Sequence, residues 1–290
     1  MTSFTKHGSA RAIAAEAAGL IDLAQASPVG GAPVVRLLDR GGSWLRTARL
    51  SPAAATAAAA EEFGRRLALT HAHCPEGQRV FGQAPSGLTG DGVMGAARLP
   101  LVPAGSASRP FGEFYAEDRL LPYLGDAVTN GSIREPGVIE RLADRLREGL
   151  FDAPQPRLVT TEAALLHGDL WSGNILWANA DSAATGAVGA TGANDIGAGA
   201  AARQPAGGTV AVLIDPACQG GHAESDLAQL TVFGAPHVER IYAAYDEASP
   251  LADGWRERVG LHRLHILIVH AALFGGSYGR QTLDEARAYL

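Results

Sequence analysis

Leu165-Leu-His167-Gly-Asp169-Leu-Trp171-Ser-Gly-Asn174-Ile-Leu-Trp177 sets an aspartate and an asparagine five residues apart between apolar flanks. Forty-one residues beyond Asn174 stands a third oxygen-bearing group, Asp215, directly after the apolar run Val210-Ala-Val-Leu-Ile214. Ile175–Trp177 and Val210–Ile214 read as short buried strands. Between them, Ala178–Thr209 holds twelve Ala and seven Gly among 32 residues. Such a stretch buries too little apolar surface to offset the entropy of ordering, so a flexible surface insertion is expected. Without it the two strands form a tight hairpin, and Asp169, Asn174 and Asp215 converge at neighbouring strand ends. Gly197-Ala-Gly199 inside the insertion lacks the third glycine and the preceding strand of a dinucleotide fingerprint, and reads as low complexity.

Phosphoryl transfer needs this set of groups. One carboxylate, Asp169, orients an acceptor hydroxyl and takes its proton. An amide oxygen, Asn174, and a second carboxylate, Asp215, hold Mg²⁺, which bridges the nucleotide phosphates. The spacing D-x-x-x-x-N, with an Asp after the hairpin, matches the protein-kinase arrangement in its mechanics. In the alternative reading Asp169 caps a turn and Asp215 ends a strand with no metal, and Asn174 then goes unexplained.

The rest of the chain reads as mixed α/β. Helices are expected over Ala10–Ala26, from Ser51-Pro52 to about His71, and over Phe111–Leu124, Gly137–Leu150, Pro236–Ala248 and Gly254–Phe274. Val34–Leu38 and Ser43–Leu50 read as strands. Strands crowd the early portion and helices the later one, so two lobes are expected, residues 1–50 and 51–290. A chain of 290 residues with a formal charge of −6 and no basic block argues against nucleic-acid binding. Its start has no apolar signal core, and Val259–Phe274 is too short and too polar to span a membrane. A soluble cytoplasmic protein is the default, and Cys74 and Cys218 have no context for a disulfide.

His167-Gly-Asp169-Leu-Trp171-Ser-Gly173-Asn174, Asp215-Pro216-Ala217 and Gly221-His222-Ala-Glu224-Ser-Asp226-Leu-Ala228 resemble the fructosamine (ketosamine) kinase family. The likeness continues through Phe111-Gly-Glu-Phe-Tyr115, Arg119-Leu-Leu-Pro122, Phe233-Gly234, Pro250–Trp255 and His270–Gly275. It implies a two-lobed protein-kinase-like, aminoglycoside-phosphotransferase-like α+β fold. It also implies ATP- and Mg²⁺-dependent phosphorylation of the 3-hydroxyl of a ketosamine, free or on a glycated protein, in deglycation repair. By the same resemblance Asp169 is the base, and Asn174 and Asp215 are the metal ligands. Lys6 touches the ATP phosphates, and Glu16 on the following helix pairs with it. Relatives carry two strands and a glycine-containing loop ahead of that lysine. Only five residues precede Lys6 here, so a truncated N-terminal lobe is expected. With the three polar groups intact, a start lying upstream is favoured over a nucleotide-binding pseudo-kinase. Relatives of the same fold act on aminoglycosides or choline, and the Trp after HGDL and the G-H-x-E run speak against them.

Other residues carry two readings each. Trp171 either stacks on the sugar or its amine-bearing part, or packs the loop. His222 and Glu224 either face acceptor hydroxyls, or Glu224 pairs with an arginine while Asp226 caps a helix beginning near Leu227. His167 is expected to brace the loop through a backbone hydrogen bond. His262, His265 and His270 line the cleft or sit satisfied in the core, and zinc is not expected there.

Overall fold

A computed structural model describes residues 2–190 and 208–290. Gly197-Ala-Gly199 lies outside the described residues. The strands are β1 (Ser3–His7), β2 (Val34–Val35), β3 (Leu37–Arg40), β4 (Trp44–Ala48), β5 (Gly92–Met94), β6 (Ala97–Leu99), β7 (Ala164–Leu166), β8 (Ile175–Asn179), β9 (Ala187–Val188), β10 (Thr209–Leu213) and β11 (Gln219–Gly221). The helices are α1 (Ala10–Ala24), α2 (Ala57–Ala72), α3 (Phe111–Phe114), α4 (Leu121–Thr129), α5 (Pro136–Arg147), α6 (Ala180–Gly186), α7 (Ala223–Gln229), α8 (Val238–Ala248), α9 (Trp255–Phe274) and α10 (Tyr278–Arg287). A π-helical stretch, Tyr115–Leu120, joins α3 to α4.

Four small sheets organise the strands, in the orders β1-β4-β3, β8-β10-β2-β9, β11-β7 and β5-β6. Lys6 stands opposite Leu45 in the antiparallel β1–β4 pair, so the two share a face. Leu45 is buried, and α1 packs on this sheet. α1 starts at Ser9, whose hydroxyl accepts Ala12 N at 3.2 Å. Glu16 lies on its buried side with Ile13 and Leu20. Further along, α1 comes close to the loop after β10: a Cβ on Gly19 would stand 2.8 Å from Cys218 Cβ and 3.0 Å from Pro216 Cγ. Glycine at that position therefore sets the approach of Glu16 to Asp215.

The expected hairpin is present. β8 and β10 pair antiparallel, with Leu213 opposite Ile175, which puts Asn174 and Asp215 at the same end. Ile214 N donates to Asn174 O at 3.1 Å and continues the ladder. The stretch expected as an insertion behaves otherwise at its start. β8 runs on to Asn179, whose side chain caps α6, and β9 then pairs with β2. Arg36 N donates to Gly186 O at 2.9 Å, and Arg66 donates to Gly189 O. Alanine and glycine suffice here because backbone pairing holds the segment while the small side chains of Ala178, Ala183 and Ala187 join the apolar core.

The helix expected from Ser51 begins instead at Ala57, capped by Thr56. Residues 51–55 run alongside β8: Ala53 N donates to Trp177 O and Asn179 N to Ser51 O, both at 2.9 Å. This pairing competes successfully with the Ser-Pro helix signal. The expected strand Val34–Leu38 splits between two sheets. One apolar cluster joins Leu20, Leu23 and Val34 to Phe63, Leu67 and Leu213, so packing is continuous across Ser51. No helix among the described residues is long and apolar enough to cross a membrane. Both cysteines are free.

Candidate active site

The loop from His167 to Asn174 follows β7 and leads into β8. Gly168 adopts φ +83°, and a Cβ there would lie 2.0 Å from Ala217 O. Both conditions demand glycine. Gly168→Ala is expected to lower stability by about 1–3 kcal/mol and to slow turnover, checked by urea unfolding beside a rate assay.

Asp169 follows directly. Its Oδ2 accepts a hydrogen bond from Asn174 Nδ2 at 3.0 Å, and its main-chain carbonyl accepts another from the same amide at 2.8 Å. The Asn174 Oδ1 therefore points to a different task. Burial, with the Asp226 and Asp215 charges adding to it, pushes the Asp169 carboxyl up to about 6 despite the Asn174 bond.

Asp215 sits just past β10 at φ +53°, a backbone region that disfavours side chains other than those of Asn and Asp. Its Oδ2 lies 3.0 Å from Lys6 Nζ, which is also 2.8 Å from Glu16 Oε2. One ammonium thus bridges two carboxylates. Burial, reinforced by the Asp215 charge and opposed by the Lys6 hydrogen bond, lifts Glu16 to about 7. The two carboxylates raise Lys6 against the effect of its burial. Lys6 is the only lysine in the chain, all 23 other cationic side chains being arginine.

The structure therefore brings Lys6, Glu16 and Asp215 into direct contact, and Asp169 with Asn174. The Ile214–Asn174 backbone bond ties the two groups together. Asn174 and Asp215 carry hard oxygen atoms of the kind that suit Mg²⁺, and 45% of the Asp215 side chain is exposed.

His167 braces the loop as expected. Its Nε2–H donates to Ile214 O at 2.9 Å, and its Nδ1 accepts Asp169 N at 3.3 Å. Burial lowers its pKa and keeps the ring neutral, as this pattern requires. Trp171 lies along the same loop over Gly173, where a Cβ would stand 2.1 Å from the indole.

His222 and Glu224, read toward substrate, are buried, and their polar atoms are engaged elsewhere. His222 Nε2 meets Ala153 O at 3.2 Å, and its Nδ1 accepts Glu224 N at 3.3 Å as the cap of α7. Burial, with His262 adding to it, drops His222 to about 4. Glu224 takes two bonds from Arg258, at 2.9 and 2.6 Å, and lies 3.3 Å from His262 Nε2. Burial alone would raise Glu224; bonds from His262 and Arg258 outweigh it and hold the carboxyl down at about 2. The arginine partner considered in the sequence is thus present, and these residues bolt α7 to α9.

Asp226 does not cap a helix. It sits inside α7, fully buried, and its carboxylate accepts His167 N at 2.7 Å and Gly168 N at 2.9 Å. His71 Nε2 meets the same carboxylate at 3.2 Å, and His71 Nδ1 meets Tyr245 Oη at 2.9 Å. One turn on, Gln229 accepts Leu170 N and donates to Gly168 O at 3.1 Å. Sequence reading gave Asp226 the role of a cap and left Gln229 unread. Their three-residue spacing, which puts two hydrogen-bonding groups on one helix face, was the available clue.

A mixed α/β chain with an Asp-Asn loop, a hairpin Asp and a Lys–Glu pair defines a protein-kinase-like phosphotransferase fold. A family model described as fructosamine kinase matches residues 3–289, and the chain belongs to that family. A "putative fructosamine-3-kinase" of Thermobifida fusca, solved as a crystal structure, aligns at a TM-score of 0.74 and 34% identity, covering 99% of this chain and 85% of that one. A "Probable ketoamine kinase" of Lactiplantibacillus plantarum is 35% identical over 135 residues, 47% of this chain and 37% of that protein. A "Probable ketoamine kinase" of Escherichia coli K12 is 29% identical over 257 residues, 86% of this chain and 71% of that protein. The chain thus spans well under half the length of some curated relatives, 38% for that of Enterococcus faecium.

Proposed function

We propose that this chain transfers the γ-phosphoryl group of ATP to the 3-hydroxyl of a ketosamine, as a cytoplasmic deglycation enzyme. Residues 1–50 serve the nucleotide, and residues 51–290 carry the acceptor and the chemistry. The observation that carries the reading is Asp169. It is oriented by Asn174 and raised by burial to about 6, in a loop tied to the Lys6–Glu16–Asp215 contacts.

In the reaction the sugar hydroxyl oxygen bonds to the γ-phosphorus, the bond from that phosphorus to the β-phosphate bridging oxygen breaks, and ADP leaves. Asp169 aligns the hydroxyl and accepts its proton. Lys6, steadied by Glu16, places a positive charge against phosphate oxygens. Mg²⁺, held by Asn174 Oδ1 and the Asp215 carboxylate, would neutralise phosphate charge.

The test is ADP release with Mg-ATP over a panel of deoxyfructosyl amines, aminoglycosides and choline, with chelator controls. Turnover confined to the deoxyfructosyl amines is expected. Turnover confined to the other acceptors, or ATP binding without any turnover, would overturn the reading. Lys6→Met is expected to lower kcat/KM for ATP about a hundredfold. Because Lys6 is the sole lysine, ATP should also protect the chain from lysine-selective acylation outside the N-terminal amine, read by mass spectrometry.

A further inference from the structure

Five rings stand in a joined row beside the catalytic loop. Trp171 meets Phe233 edge to face at 5.3 Å between centroids. Phe233 meets His270 at 5.5 Å, and His270 meets Tyr278 at 5.0 Å and Phe274 at 5.4 Å. These residues come from the catalytic loop, the segment after α7, the end of α9 and the start of α10. Trp171 and Tyr278 pack partly against the core, and the row reaches the surface through its two phenylalanines. Phe233 is 40% exposed and Phe274 68%, the highest value among the exposed large hydrophobics of the described residues. Single exposed apolar residues need no explanation, but a contiguous aromatic surface does.

We infer that this row binds the amine-borne part of the substrate, so that the chain selects ketosamines whose amine carries an aromatic or bulky apolar group. The inference rests on the ketosamine reading above. In a ketosamine the amine is attached to C1, close to the reacting C3. With the hydroxyl at Asp169, the amine substituent would extend toward Trp171, which stands two residues along the same loop. The protonated amine is attracted to ring faces, and an apolar substituent finds matching surface beyond it. One polar atom is also placed in the row. His270 Nδ1–H donates to Ile266 O at 2.8 Å, which leaves Nε2 as a lone-pair acceptor for an amine N–H.

The test compares deoxyfructosyl-phenylalanine with deoxyfructosyl-glycine, by calorimetric binding and by ADP release. Binding of the phenylalanine adduct is expected to be about tenfold tighter, with the difference in KM rather than kcat. Phe274→Ala and Phe233→Ala should bring the ratio toward one. Phe274 is largely exposed, so its replacement should fold normally, checked by thermal melting. Equal binding of the two adducts by the unaltered chain, or a preference that survives both replacements, overturns this inference and leaves the kinase reading standing. Failure of both adducts to bind or react overturns both.

Discussion

Asp169→Asn is expected to cut kcat about a thousandfold while the protein stays folded. On the proposed reading the carboxylate takes the hydroxyl proton, and an amide cannot accept it. The rate of the unaltered chain should rise with pH through about 6, because burial favours the protonated, inactive carboxyl below that value. Asparagine should abolish this acid limb. The stability effect has the opposite sign. A carboxyl raised above its unfolded value binds its proton more tightly in the native state. It therefore favours the fold at low pH, and that contribution is lost as pH rises through about 6. Asp169→Asn should accordingly melt at or above the temperature of the unaltered chain at pH 7.5. A full-rate Asp169→Asn protein would remove this residue from the chemistry.

Asp226→Ala is expected to lose both stability and rate. Its carboxylate accepts two backbone N–H groups of the catalytic loop and contacts His71, all buried. Truncation leaves two donors without partners and a ring nitrogen facing a void. The expected cost is about 3–5 kcal/mol, measured by urea unfolding. Asp226→Asn, which keeps one oxygen acceptor, should fall between the two. The contrast with Asp169 separates the roles: one substitution removes chemistry and spares the fold, the other loosens the platform beneath the chemistry. An Asp226→Ala protein as stable as its parent would show that the loop is held by other means.

The His222–Glu224 segment shows where sequence reading stopped. A histidine and a glutamate shortly after Asp215 offer the same polar atoms whether they face a ligand or an arginine. Only the packing of α9 against α7 put Arg258 within 2.6 Å of Glu224. The same holds for residues 178–190: their composition predicts no core, yet Ala178, Ala183 and Ala187 are buried in one, and pairing with Val34 and Val35 gives them a strand. The Ser51-Pro52 helix signal likewise yields to pairing with residues 124 and 126 positions away: Ala53 N donates to Trp177 O, and Pro52 bridges to Ala178.

From its sequence alone this protein had a legible hairpin, the residues at its open end and the family they resemble, because strand alternation and short spacings are local properties. Tertiary structure alone decided which carboxylate braces the loop and which residues are withdrawn from the cleft. Those outcomes depend on contacts such as His167 to Asp226 and His71 to Asp226, 59 and 155 residues apart. It also decided that Asp169 titrates near 6, since desolvation arises only once distant segments close around the group.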